Sequence, residues 1–225
     1  MNEGQTHPLE WRDGCVPVSA RFDDPFYSLD DGLAETRHVF LGGNDLHTRF
    51  CPGFHVAELG FGTGLNFLTT LAAFRQSGTP GILRFTSFEA FPLSLADLRA
   101  ALRPFADLPT GVLVDHYTEP TALPLHQIGD DFELRLIIGD ARETLPHWQG
   151  RADAWFLDGF SPAKNPEMWE PALLGQVARH TAPQGTFATY TAAGHVRRAL
   201  AEAGFVVARV PGFGRKRHMT TGCLP

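Results

Sequence analysis

Three cysteines, Cys15, Cys51 and Cys223, are all that the 225-residue chain contains. They are too few and too scattered for a disulfide framework or a zinc knuckle. No apolar run approaches the roughly 20 residues needed to cross a bilayer, and the start, Met1 to Pro8, lacks the basic-then-apolar order of an export signal. A cytoplasmic protein with no membrane contact is expected. There are no internal repeats or low-complexity tracts. The ten histidines show no metal-ligand spacing, so no metal is expected, and no Ser/His/Asp arrangement stands out. An excess of positive charge is missing too. The formal net charge of −6 excludes a broadly basic nucleic-acid binder and leaves any nucleic-acid contact to a local patch.

Hydrophobic content of 43% and charged content of 20% promise a sizeable core in one large α/β domain, or one domain with an appendage. The stretch 55–68 organises the rest. It runs His55-Val56-Ala57-Glu58-Leu59-Gly60-Phe61-Gly62-Thr63-Gly64-Leu65-Asn66-Phe67-Leu68, an apolar run broken by glycines and resumed as a helical pattern over about 65–74. A strand turning sharply into a helix leaves backbone N–H groups free at the carboxyl end of a sheet. Glu58 puts a negative charge beside those glycines. It would repel a pyrophosphate but suit a ligand carrying an amino group and a sulfonium. The glycine spacing also departs from the dinucleotide fingerprint, whose third glycine comes one residue later. The glycines alone would equally fit an ordinary strand-to-helix turn.

Residues 1–53 read as an N-terminal extension packed on the core and touching substrate. It holds a hairpin over 9–18 around Asp13-Gly14, a loop at 22–27 and a short helix over 32–41 closed by Gly42, Gly43 and Asn44. Residues 54–225 alternate strand and helix. After the glycine unit come strands at 83–90, 133–140, 153–158 and 186–191, and helices at 95–105 (capped by Ser94), 142–149, 167–181 and 194–203. Segments 205–211 and 218–224 form a closing hairpin around 212–217. The stretch 106–131 has no clean period and reads as loop with short strands or turns. Such alternation implies a mainly parallel sheet with right-handed crossovers, to which the hairpin adds an antiparallel strand at or near an edge. Ligands in these sheets bind beyond the strand carboxyl ends, where Glu58, Glu89, Asp140 and Asp158 fall. One polar residue there is commonly a cap or turn former. Four in register point to a ligand.

Glu89, roughly 25 residues past the glycine turn, is placed to accept hydrogen bonds from both hydroxyls of a ribose. Asp140 could accept from an adenine amino group. The N–H groups of Gly60, Gly62 and Gly64 could hold a carboxylate, and Glu58 could reach an ammonium directly or through water. S-adenosylmethionine satisfies all four demands. Glu58 and the shifted glycine spacing count against the rival, NAD. Asn66 and Asp158 complete the candidate cofactor set.

Several segments resemble the methyltransferase half of the bifunctional MnmC family of tRNA-modifying proteins. They are 58–68, 87–93 with Glu89, 153–169 with Asp158-Gly159-Phe160 and Lys164-Asn165-Pro166, and 212–217, together with 9–11 and 32–44. The resemblance covers nearly the whole chain. It implies a Rossmann-like class I S-adenosylmethionine-dependent methyltransferase fold. It also implies methylation of the primary amine of 5-aminomethyl-2-thiouridine at the tRNA wobble position, giving 5-methylaminomethyl-2-thiouridine. In that family an FAD-dependent oxidase follows. No second glycine-rich strand–helix unit occurs here, so neither FAD nor oxidase activity is carried over. A stand-alone enzyme or an excised domain is expected, with the oxidase a separate or originally fused partner.

Methyl transfer to an amine needs the amine neutral and aligned. Asp158 is the catalytic candidate: it would hold the amine, take or relay its proton and stabilise the charge forming on nitrogen. It could instead serve the cofactor or shape its turn. Phe160, Pro162, Pro166 and Trp169 could stack a flipped wobble base or simply pack their loop. Lys164 and Asn165 are candidates for base or ribose contacts. Arg215, Lys216 and Arg217, with Arg197 and Arg198, are the basic concentrations available to a tRNA anticodon stem-loop, although a charge run is usually a solvated face. Two alternatives stand beside this reading: a methyltransferase of small-molecule or protein amines, and a non-catalytic tRNA-binding module. The four intact acids speak against the second.

Overall fold

The computed structural model describes residues 9–12, 16–28, 31–117 and 125–225. Strand β1 (Leu9–Arg12) pairs antiparallel with β2 (Val16–Ser19), and β3 (Asp24–Pro25) completes a small sheet. This is the expected hairpin; its turn at Asp13-Gly14 lies outside the described residues. Helix α1 (Gly32–Thr36) starts where the Asp31 carboxylate accepts from Ala34 N at 2.8 Å. It continues as a π-helical turn, Arg37–Gly42, before α2 (Leu46–Arg49). Val39, Phe40, Leu41 and Leu46 are buried in the same cluster as Val56, Phe67 and Phe85 of the main body.

The main body runs β4 (His55–Leu59), α3 (Leu65–Ser77), β5 (Leu83–Glu89), α4 (Leu95–Leu102), α5 (Gly111–Val114), β6 (Leu125–Ile128), β7 (Phe132–Ile138), α6 (Ala141–Thr144), β8 (Ala152–Leu157), α7 (Pro171–Arg179), β9 (Thr181–Thr189), α8 (Gly194–Glu202), β10 (Val206–Pro211) and β11 (His218–Cys223). Eight strands form one sheet in the order β10-β11-β9-β8-β4-β5-β7-β6. Five consecutive strands of this order, β9, β8, β4, β5 and β7, are parallel. Because both faces are covered, the central strands are apolar on both sides. Val56, Phe85, Leu134 and Phe156 meet α3 through Phe67 and Leu71. Ala57, Phe88 and Trp155 meet α7 and α8 through Leu173, Val177, Val196 and Leu200. Each such fully buried large side chain contributes roughly 1.5–3 kcal/mol.

Several boundaries differ from expectation for identifiable reasons. Both hairpin strands join the sheet, with β11 against β9 and β10 at the edge. β6 lies in the stretch expected to be irregular, pairing antiparallel with β7, Leu125 opposite Leu136. Four residues on an edge carry little pattern of their own. Pro171 occupies the first turn of α7, where its fixed φ favours a start; the expected helix from 167 is therefore a 3₁₀ turn, Pro166–Trp169, followed by a separate helix. β9 begins earlier than 186 because it absorbs an irregularity opposite Ala152 and Ala154. Pro183-Gln184-Gly185, just ahead of the expected strand at 186–191, lies within it. Among the described residues no helix is long and apolar enough to cross a membrane.

Candidate active site

β4 ends against its neighbours so tightly that only glycine can follow. Gly60 has φ +90°, and a Cβ there would lie 2.2 Å from the Asp158 carbonyl oxygen. Its N–H donates to Phe88 O at 2.9 Å. At the end of β5 the Glu89 carboxylate accepts from Gly62 N at 3.0 Å and from Phe91 N at 2.7 Å. Burial pushes its pKa up, against the lowering by those backbone bonds. The glycine turn and Glu89 therefore fix one another. They form part of the wall of a cavity of about 840 Å³ that also meets Asn66, Asp140, Asp158 and Phe160. Gly60 and Gly62 line it, whereas Gly64 (φ +73°) is a buried pivot into α3, packed on Leu113 and Phe61.

Asn66 organises the acids. Its Nδ2 donates to Glu58 Oε1 at 2.8 Å and to Asp158 Oδ2 at 2.7 Å, while its Oδ1 accepts from Thr36 Oγ1 at 3.0 Å. Ser87 Oγ donates to the other Glu58 oxygen at 2.7 Å. Glu58 is 0% exposed, and burial holds its pKa well above the usual carboxylate range. It is therefore not open to an incoming ammonium, as its place beside the turn suggested; it anchors Asn66 from behind. Asp158 does reach the cavity. Burial raises its pKa to about 7, opposed by the Asn66 hydrogen bond and by Lys216, and reinforced by Glu35 and Asp24. Asp140 also lines the cavity, but it caps α6 through Arg142 N at 2.8 Å and grips the Arg142 guanidinium, Nη2 to Oδ2 at 2.6 Å. That bonding keeps its carboxyl below the ordinary range. An amino group approaching Asp140 must share it with Arg142.

The opposite wall is shared with the N-terminal extension. Phe160 stacks on Phe22 with centroids 4.7 Å apart and meets Phe26 edge-on at 5.3 Å. Ser161 N donates to Asp24 Oδ2 at 2.9 Å. Lys164 bonds to Asp23 and lies 3.6 Å from Asp24 Oδ1, so its charge clamps this loop to the extension. Trp169, only 3% exposed, does not face the cavity; its indole N–H donates to Phe160 O at 3.0 Å and braces the wall from behind. Asn165 lines the cavity; Pro162 and Pro166 do not. Arg215 and Lys216 line it as well, whereas Arg217 and Arg198 are exposed elsewhere and Arg197 is half-buried on α8. Lys216 turns inward, Nζ donating to Glu35 Oε1 at 2.8 Å. Asp24, Glu35, Thr36, Ser87 and Tyr190 were not singled out by sequence reasoning. For Asp24, Glu35 and Thr36 the hint was the expectation that the extension touches substrate.

Residues 111–225 match the family described as S-adenosyl-L-methionine-dependent methyltransferase. A Pseudomonas paraeruginosa protein named tRNA 5-methylaminomethyl-2-thiouridine biosynthesis bifunctional protein MnmC is 47% identical over 232 residues, covering 99% of this chain and 36% of that protein. A protein of the same name from Marinobacter nauticus is 47% identical over 231 residues, covering 96% of this chain and 36% of its own length. The chain thus spans about a third of these relatives. Among solved structures, MNMC2 from Aquifex aeolicus superposes with a TM-score of 0.74 at 23% identity, covering 98% of this chain and 72% of that one. TrmN from Thermus thermophilus gives 0.52 at 16% identity, covering 82% and 47%. At these identities the structural likeness speaks to fold alone.

Proposed function

The chain belongs to the S-adenosyl-L-methionine-dependent methyltransferases, with their Rossmann-like class I fold, and we propose that its acceptor is the primary amine of 5-aminomethyl-2-thiouridine at the tRNA wobble position. The reading is carried by Asp158, a half-buried carboxylate facing a cavity whose other wall is acidic and aromatic. It is supported by 47% identity over 99% of the chain to a protein named for 5-methylaminomethyl-2-thiouridine biosynthesis. That product differs from the proposed acceptor by one methyl group on nitrogen.

The residues present suit the cofactor. A cavity of about 840 Å³ is large enough for a nucleoside with an amino-acid tail. Gly60 and Gly62 line the cavity, and Glu89, which lines it while accepting from Gly62 N and Phe91 N, is assigned to the ribose hydroxyls. Asn66 and Asp140 complete the set. When bound, S-adenosylmethionine supplies a methyl group activated by its sulfonium. The chain must orient the amine and remove a proton from it. Asp158 as a carboxylate accepts that proton and stabilises charge on the nitrogen, and a pKa of about 7 matches this task near neutrality. Phe160, backed by Phe22, offers a face for the base. Arg215 and Arg217, with Arg197 on α8, are assigned to phosphates of the anticodon stem-loop. An FAD-dependent oxidase that generates the amine, fused or separate, is the partner assigned to this step.

Glu89→Gln should weaken binding of S-adenosylmethionine about 10- to 100-fold, the worth of a charge-assisted hydrogen bond. The amide would also face the Gly62 or Phe91 N–H with a second donor. Calorimetric titration reads this directly, and unchanged affinity would remove Glu89 from the cofactor site. The acceptor is tested by nucleoside mass spectrometry of tRNA carrying 5-aminomethyl-2-thiouridine, before and after incubation with the chain and cofactor. A gain of one methyl on that nucleoside is expected. Methylation of bulk protein or small amines with the tRNA unaltered would overturn the assignment.

A further inference from the structure

Lys216 stands in a run of three cations that reads as a phosphate contact, yet its ammonium points the other way. Nζ lies 2.8 Å from Glu35 Oε1 and 4.0 Å from the centroid of the Tyr190 ring. Glu35 comes from α1, Tyr190 follows β9, and Lys216 sits in the loop between β10 and β11. A carboxylate and an aromatic face thus converge from distant segments on one point of the cavity wall. Such a pair recognises an alkylammonium, the acid matching its charge and the π face its polarised C–H and N–H groups.

The two sides of this contact are unequally held. Tyr190 is fixed: its hydroxyl donates to Gly159 O at 2.7 Å, and its ring meets Trp169 edge-on at 6.3 Å. The Glu35 side chain is 15% exposed, while that of Lys216 is 46% exposed. The loop bearing Lys216 turns at Gly214, around which there is open space. A fixed receptor is therefore filled by a side chain from the surface. Glu35, Tyr190, Lys216 and Asp158 all line the same cavity, so the receptor lies on the acceptor side.

We propose that Glu35 and Tyr190 form an alkylammonium subsite for the acceptor amine and its methylated product, with Lys216 as a tethered occupant that the acceptor displaces. Its role in the reaction rests on the reading of the acceptor as an aminomethyl group; the subsite itself can be tested without RNA. An incoming cation must compete with Lys216. An amine carried on a polynucleotide brings phosphates that give the released lysine a new partner beside Arg215, whereas a free amine brings none. The arrangement therefore discriminates against free amines, a selection made by the resident competitor rather than by shape.

The test titrates benzylammonium and N-methylbenzylammonium chloride into the full chain by calorimetry, with S-adenosylhomocysteine affinity as a check on folding. Lys216→Met should bind both ammonium probes at least tenfold more tightly than the wild type. Lys216→Ala should show the same gain, and adding Glu35→Gln to either should abolish it. No gain in the single variants, or a gain that survives Glu35→Gln, overturns the subsite. If the single variants gain as expected while the wobble nucleoside is never methylated, the subsite stands and the acceptor assignment falls.

Discussion

Replacing Asp158 with Asn should lower the methyl-transfer rate by roughly 10²- to 10⁴-fold, the usual contribution of a positioned proton acceptor. Cofactor affinity should change far less. The amide keeps an oxygen toward Asn66 but can neither take the amine's proton nor offset the charge forming on nitrogen. The wild-type rate should fall about tenfold per pH unit below about 7, where Asp158 becomes protonated. The variant should lack that limb and keep only the fall set by protonation of the amine itself. Stability should move in the opposite sense. The folded pKa of about 7 exceeds the unfolded value of about 3.9, so between these values the native state binds the proton more tightly than the unfolded chain does. The destabilisation from the buried charge is absent below pH ~4, grows as pH rises and is complete above ~7. Asp158→Asn should therefore melt above the wild type at pH 8, with the difference shrinking toward pH 5. Melting curves at the two pH values check this, and a variant less stable at pH 8 would contradict it.

Gly60→Ala should be the most damaging single-methyl addition at the turn. The new Cβ would sit 2.2 Å from the Asp158 carbonyl oxygen with φ at +90°. The obstacle is backbone, so no side chain can swing aside. β4 and β8 must part, and Asp158 must shift relative to Asn66. A cost of about 3 kcal/mol or more is expected, lowering Tm by about 6–12 °C for a chain of this size, with methyl transfer lost. Gly78→Ala is the control. It too has positive φ, +69°, but nothing lies within 4 Å of its added Cβ, so only the backbone penalty of about 1 kcal/mol applies. Equal melting temperatures for the two variants would show that the contact with Asp158 does not constrain the turn.

The donor side was legible in the sequence because it is local. Glu58 with its glycines, Glu89, Asp140 and Asp158 each end an apolar run, and parallel pairing brings those ends together without further information. What each acid does there was less legible. Glu58 is sealed behind Asn66, and Asp140 is shared with Arg142, because burial and hydrogen bonding depend on neighbours remote in sequence. The acceptor side was harder still. Phe22 meeting Phe160, Asp24 meeting Ser161 and Glu35 meeting Lys216 join segments separated by well over a hundred positions. No periodicity encodes such pairings. The run 215–217 reads as uniform charge, yet Lys216 points inward. β6 falls in a stretch read as loop with short strands or turns, but its bounds were not legible because a four-residue edge strand exists only through its partner, β7.

The packing of Phe22 and Phe26 against Phe160 also sets an order of assembly. The ribosome delivers these two phenylalanines long before residues 158–169 emerge, so until then neither has Phe160 to pack on, although Phe22 can already meet Phe91. The half that receives the methyl group is consequently finished late in synthesis. A nascent chain halted near residue 150 already contains the glycine bend and Glu89 but still lacks the wall opposite them.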